Sequence, residues 1–311
     1  MRATVPSRAS PAQAASSPAT TEIGADPVAT AATISVVAVG DAAWAGDARD
    51  GTVARIDPST HEVTRTLGVG EPAVDLAFGA GALWVATGSF GNVLQVDPAL
   101  GAVTRSIPLG VPGAVEVPTV SAVAADDRGV WAGARGGMIP LDPATGEPGA
   151  VIDLGDASAL QIAVGGDGVW ATTLRRRAKR VERGSGRVTA EFYAGSFVLP
   201  VAVDGVRATW VGAVDDGRLW KLDPDTGATE RTATAGRGSN GIAVGEGSVW
   251  VASWPDGTIQ RLDRETGAVQ AVIPVGGAPT DVAVGAGLVW VAVPEAAEGE
   301  GGVETSTAEG A

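Results

Sequence analysis

Apolar residues recur along the chain in short alternating runs, bounded by Gly, Pro and Asp. Val282-Ala283-Val284, a Gly turn and the run through Trp290 form one example. A period of two with many β-branched residues predicts strands, and no segment sustains a helical period. The same order of runs returns. GAGALWVATGSFGNVLQVDPALGAVTRSIPLG (79–110) parallels GEGSVWVASWPDGTIQRLDRETGAVQAVIPVG (245–276). Each unit predicts four strands, here a to d, with Trp in strand b. In the second of these units strand c covers Thr258 to Asp263 and strand d Ala268 to Val275. The c–d turn reads Asp-Pro-x-x-Gly at Asp57 (with His61 in place of Gly), Asp97, Asp142 and Asp223, with Asp263-Arg264 and Glu182-Arg183 as variants. Asp bonds back to its own backbone, Pro presets φ, and Gly accepts a left-handed conformation.

Tryptophans at 44, 84, 131, 170, 210, 250 and 290 set a period of about 40 residues. Four-stranded antiparallel units at this spacing are propeller blades. The expected fold is an all-β, seven-bladed β-propeller closed by strands from the two termini. Six blades is the alternative, which leaves one Trp unit without a place. A ring must close or expose strand edges. The last unit stops after strand b, so Thr20 to Pro27 is expected to supply its strand d, and Gly301 to Thr305 its strand c. Residues 1–18, rich in Ala, Ser and Pro, read as a disordered linker. The propeller then spans 19–305, with a short tail at 306–311.

Composition narrows the function. The chain has 311 residues, a net charge of −14, no Cys and a single His. The negative sign disfavours nucleic acid and anionic membrane surfaces. The absence of Cys removes disulfides, thiol nucleophiles and thiolate metal sites. One His excludes His-rich metal sites. Arg2 and Arg8 look like a charged leader, but no apolar signal-peptide core follows. No apolar run reaches the roughly 20 residues of a membrane span. The expectation is a soluble monomer of unassigned compartment.

The repeated Trp residues read as packing between blades, because a ligand platform would not recur at every blade. Trp254 departs from the pattern. It sits in a b–c loop, Ser253-Trp254-Pro255-Asp256-Gly257, on the funnel face, where it can stack on a ligand or cap a neighbouring loop. Aligning on Trp places Asp75, Gln161 and Asp281 where strand a enters the channel, with Asn240 one residue before Gly241. Such a ring could hold a polyol or a cation, Mg²⁺ or Ca²⁺, or simply line a water-filled channel. The one long d–a loop, Val111 to Thr119, carries a single charge, Glu116. The run Arg175, Arg176, Arg177, Lys179, Arg180 replaces an Asp-Gly loop. It offers a patch for an anion or an acidic partner, or a solvated surface. Apart from the possible funnel cation, no cofactor is implied.

The phrase VAVG-x-G-x-VWVA…DGT-x-x-RLD-x-x-TGAV…IPVG resembles the YVTN-type repeat propellers, in the bacterial branch related to streptogramin B lyase, over about residues 19–293. The resemblance implies a propeller fold. The lyase of that family works on a cyclic depsipeptide with a histidine, a carboxylate and Mg²⁺ in the funnel. The only histidine here, His61, lies in a c–d hairpin on the opposite face, so no catalytic histidine carries over. Similar repeats also occur as modules of larger actinobacterial regulators, kinases and solute-binding proteins. The leading reading is a non-catalytic binding or scaffold module whose funnel face contacts a protein partner or a small ligand. The alternatives are a lyase-like carbon–oxygen lyase and a sensor module of a larger protein.

Overall fold

The computed structural model describes residues 2–3, 33–110, 119–134, 136–155 and 158–294. Six sheets are complete four-stranded antiparallel blades, spanning 33–68, 75–108, 122–153, 159–193, 198–234 and 239–274. A further sheet has three strands. Its strands a and b are Asp281–Gly285 and Leu288–Val293, and Arg2–Ala3 pairs antiparallel to the latter. Six complete blades is the count of the alternative expectation. Among the described residues the last Trp unit forms this three-stranded sheet and not a full seventh blade. Strand a of each sheet packs against strand a of the next, and that of the last sheet packs against blade one, so the sheets form a closed ring.

The third strand of the last sheet departs from expectation. Arg2 pairs with Val293 and Ala3 with Ala292, so the start of the chain takes the strand-c place that Gly301 to Thr305 was expected to fill. The expected strand d at Thr20 to Pro27, most of the 1–18 linker and the 306–311 tail lie outside the described residues.

Tryptophan holds the ring together. Trp44, Trp84, Trp131, Trp170, Trp210, Trp250 and Trp290 are all buried. Each belongs to a separate apolar core between one sheet and the next. Trp84 packs with Val123 and Ile139 of the following blade, and Trp290 with Val36 and Ile56 across the closing seam. The indole Nε1 of Trp84 donates to the Gly79 carbonyl at the end of its own strand a (3.0 Å). Gly79 has to be glycine, because a Cβ there would lie 2.5 Å from the Asp126 backbone nitrogen of the next blade. The Gly-x-Gly-x-Val-Trp phrase therefore records how closely the sheets approach.

The c–d hairpins follow their sequence. In each, Asp57, Asp97, Asp142, Asp223 or Asp263 accepts backbone N–H bonds from the residues two and three positions on, for example Thr266 N at 2.7 Å. Gly101, Gly146, Gly227 and Gly267 then turn with positive φ, and His61 takes the same conformation at φ 60°.

Two hairpins replace the Pro by Arg, and the structure gives the reason. Arg183 of blade four forks onto Asp126 of blade three (3.0 and 2.6 Å) and lies 4.8 Å over the Trp131 ring. Arg264 of blade six pairs with Asp204 of blade five through Nη2. Asp126 and Asp204 each end a strand a, at the place where blades two, four and six carry Gly79, Gly165 and Gly245. Acid and base therefore change together in consecutive blades.

Two stability measurements test these points. A double-mutant cycle of Asp126→Ala and Arg183→Ala, read by urea unfolding, is expected to give a coupling energy of about 1 kcal/mol or more. Additive effects would show that the pair contributes no mutual stabilisation. His61→Gly removes a side chain from a left-handed position and is expected to raise stability by about 1 kcal/mol, or roughly 2–4 °C in Tm. A lowered Tm would show that the His61 side chain stabilises the hairpin by more than its strain costs.

Candidate functional site

Strand a begins on the face from which the b–c and d–a loops project, and its first residues ring the mouth of the central channel. Strand registers place Ser35, Asp75, Ala122, Gln161, Gly241 and Asp281 at one level, opposite Gly46, Ala86, Gly133, Thr172, Ala252 and Ala292 of their strand-b neighbours. Pro200 falls in a register shift of blade five at the same height. The expected residues Asp75, Gln161 and Asp281 thus meet around one channel. Two adjoining cavities of about 130 and 190 Å³ open there, both lined by these three.

Ser35 was not among the expected residues, yet it organises the mouth. Its hydroxyl lies 3.1 Å from Asp75 Oδ1 and 3.2 Å from Asp281 Oδ2, and it accepts the Leu76 N–H (3.2 Å). Each carboxylate also grips the next sheet. Asp281 accepts from Val36 N of blade one (3.0 Å), and Asp75 from Val123 N of blade three (2.9 Å). Both accept from the backbone N–H of the residue that follows them, Leu76 and Val282. Gly241 makes room, because a Cβ there would come within 3.0 Å of Asp281 Oδ1. The alignment that gave Asp75 and Asp281 also points to Ser35, nine residues before Trp44. A lone serine carries no charge to draw attention in a sequence.

Gln161 reaches across the channel from blade four and donates through Nε2 to the Asn240 carbonyl of blade six (3.2 Å). Asn240 thus meets the site through its backbone. Trp254 stands 51% exposed on its b–c loop, which Trp254 N ties to the Gly238 carbonyl (3.2 Å). Glu116 and all but the end of the 111–119 loop lie outside the described residues.

The basic run divides. Only Leu174 to Arg176 form a loop, and Arg177–Glu182 is a strand c. Arg177 and Lys179 both pair with Glu191 of the neighbouring strand d, and Arg180 with Asp225 of blade five. Of the five basic residues of the expected patch, Arg177, Lys179 and Arg180 are thus held in ion pairs on strand c, and Arg175 and Arg176 stand on the loop. The physical reason is burial on both faces of the strand: Ala178 packs into the core shared with blade five and Val181 into the core shared with blade three, which holds the residues around them in a strand register.

The mouth carboxylates are electrically unusual. They keep part of their surface open to the channel, but protein surrounds them. Desolvation raises Asp75 to about 7, with repulsion from Asp281 adding to it, and raises Asp281 to about 6. Their hydrogen bonds to Ser35 and the backbone pull the other way but do not win. A lyase-type centre does not fit here. His61 is on the far face, and the carboxylate oxygens are engaged by strand N–H groups. Among the described residues no three His, Asp or Glu side chains gather as a metal site. Among them, too, no helix is long and apolar enough to cross a membrane.

The sign of the pH response follows. In the unfolded chain both acids titrate near the ordinary 3.8, so between about pH 4 and 7 the native state holds more protons. Their contribution to stability is complete below pH 4 and is lost as pH rises to 7. The hairpin acids Asp57, Asp142, Asp223 and Asp263 oppose this. Hydrogen bonds lower their pKa, so their contribution is present above about pH 4 and lost below it. Urea unfolding from pH 5 to 8 should show stability falling, with a shallower fall in Asp75→Asn. An identical slope in the variant would remove the mouth acids as the cause.

No protein-family model matches the chain, and no curated protein matches it in sequence. Solved structures match it in fold. One is described as the structure of U3-55K, with a TM-score of 0.74 and 10% identity over 86% of this chain and 89% of that one. Another is the β-propeller domain of Cps50 (Swd1) from Myceliophteria thermophila, with a TM-score of 0.70 and 14% identity over 85% and 96%. At such identities the likeness shows the fold alone. This chain is an all-β propeller of four-stranded antiparallel blades.

Proposed function

We propose that the chain is a non-catalytic propeller module that binds a protein partner through its funnel face. One observation carries the reading. The three aromatic side chains exposed among the described residues, Phe90 (54%), Tyr193 (59%) and Trp254 (51%), all stand on that face. Exposed aromatics are costly to solvate and are enriched at protein interfaces. The mouth chemistry supports the same reading, since its two acids are engaged in joining strands. The repeat phrase further supports placing the chain among YVTN-type propellers.

The test compares partner capture by two double variants. Phe90→Ser with Trp254→Ser alters the funnel face. Leu100→Ser with Val206→Ser alters exposed apolar residues on the opposite face. The first pair is expected to weaken capture by about tenfold or more, the second to leave it unchanged. The reverse pattern would move the interface to the other face.

A further inference from the structure

We propose that the b–c tip of blade four is a docking point for an acidic segment of a partner protein. It would seat a carboxylate on Arg176, and an apolar side chain on Leu174 and Tyr193. The inference rests on the funnel-face reading above and supplies the partner's chemistry.

The first observation is conformational. Arg176 has φ 62°, a left-handed backbone that strains a side-chain-bearing residue. Its structural equivalents are glycines. Gly51, Gly91, Gly217 and Gly257 also have positive φ. In each case the residue just beyond strand d donates its N–H to their carbonyl, as Ala194 does to Arg176. Four blades keep the residue that suits the turn, while blade four accepts strain and gains a guanidinium.

The second observation is electrostatic. Behind the tip, Arg177, Lys179 and Arg180 are paired with Glu191 and Asp225. Arg176 is in no ion pair among the described residues. Its Nη1 donates to the Gly195 carbonyl (2.8 Å), which steadies the group and leaves its other N–H donors to meet an anion. Arg175 is exposed beside it. In a chain of net charge −14, a steadied cation at a loop tip favours an acidic partner locally, where the rest of the surface repels it.

The third observation is apolar. Leu174 is 61% exposed on the same tip. Tyr193, 59% exposed at the end of strand d, pairs in register with Arg177, whose guanidinium lies 5.1 Å over its ring. Charge and apolar surface therefore share one corner of the blade, a combination suited to an acidic peptide carrying Leu or Phe.

The test uses three fluorescein-labelled nonapeptides of alternating Leu and a second residue, Glu, Gln or Lys, titrated by anisotropy. The intact chain should bind the Glu peptide about fivefold or more tightly than the Gln peptide, with the difference shrinking as salt rises. Arg175→Ser with Arg176→Gly should bring the two to parity while leaving the Gln peptide's affinity unchanged. This variant restores the residue that other blades carry, so its folding is expected to improve. Equal affinities in the intact chain, a preference that survives the double variant, or no saturable binding of the Glu peptide up to 1 mM would each overturn the proposal. The funnel-face reading fails separately, through the capture experiment with Phe90 and Trp254.

Discussion

The ring depends on a tryptophan wedged between each sheet and the next. A blade cannot bury its own faces. Its apolar surface leaves water only when a neighbour covers it, and the indole is the largest side chain available for that contact. The rest follows from how close the wedge draws the sheets. Glycine ends strand a at Gly79 because the backbone of the next blade is already there. The cores close into a circle only because Trp290 of the three-stranded sheet reaches Val36 and Ile56 of blade one.

Closure imposes a second constraint, at the channel. Inner strands from different sheets converge there, and their first N–H groups need acceptors away from bulk water. Asp281 and Asp75 supply them, with Ser35 lying between the two. The arrangement runs from the last sheet through blades one and two to blade three, four consecutive sheets across the seam where the ring closes. It places two acids where protein excludes water, and that desolvation raises both pKa values, with the Asp281 charge adding to the shift at Asp75.

Much of this was readable in the sequence because propeller repeats encode local physics. Trp spacing, strand alternation and Asp-Pro-x-x-Gly turns depend on residues within one unit. The mouth acids were readable because a carboxylate stands out at an aligned position. What escaped depends on partners a whole unit or more away. Ser35 matters only through Asp75 and Asp281, which approach it from sheets on either side. The Arg183–Asp126 and Arg264–Asp204 clamps join residues 57 and 60 positions apart. The basic run looked continuous because charge is visible in a sequence, whereas the packing of Ala178 against blade five and of Val181 against blade three appears only once strand c is in register. Arg2 and Ala3 gave no strand pattern at all. Their pairing reflects an available edge on Leu288–Val293 more than any preference of their own.

The two arginine clamps also bear on how such a ring can change over generations. A repeat protein grows by copying its units, and blades held only by tryptophan and glycine are interchangeable. Blade four is not free in this sense. Copied beside a blade that ends its strand a in Gly, it would bury Arg183 against no acid. Blade six carries the same liability through Arg264. Three with four and five with six therefore travel as couples, and recombination that respects those couples is the kind this ring can survive.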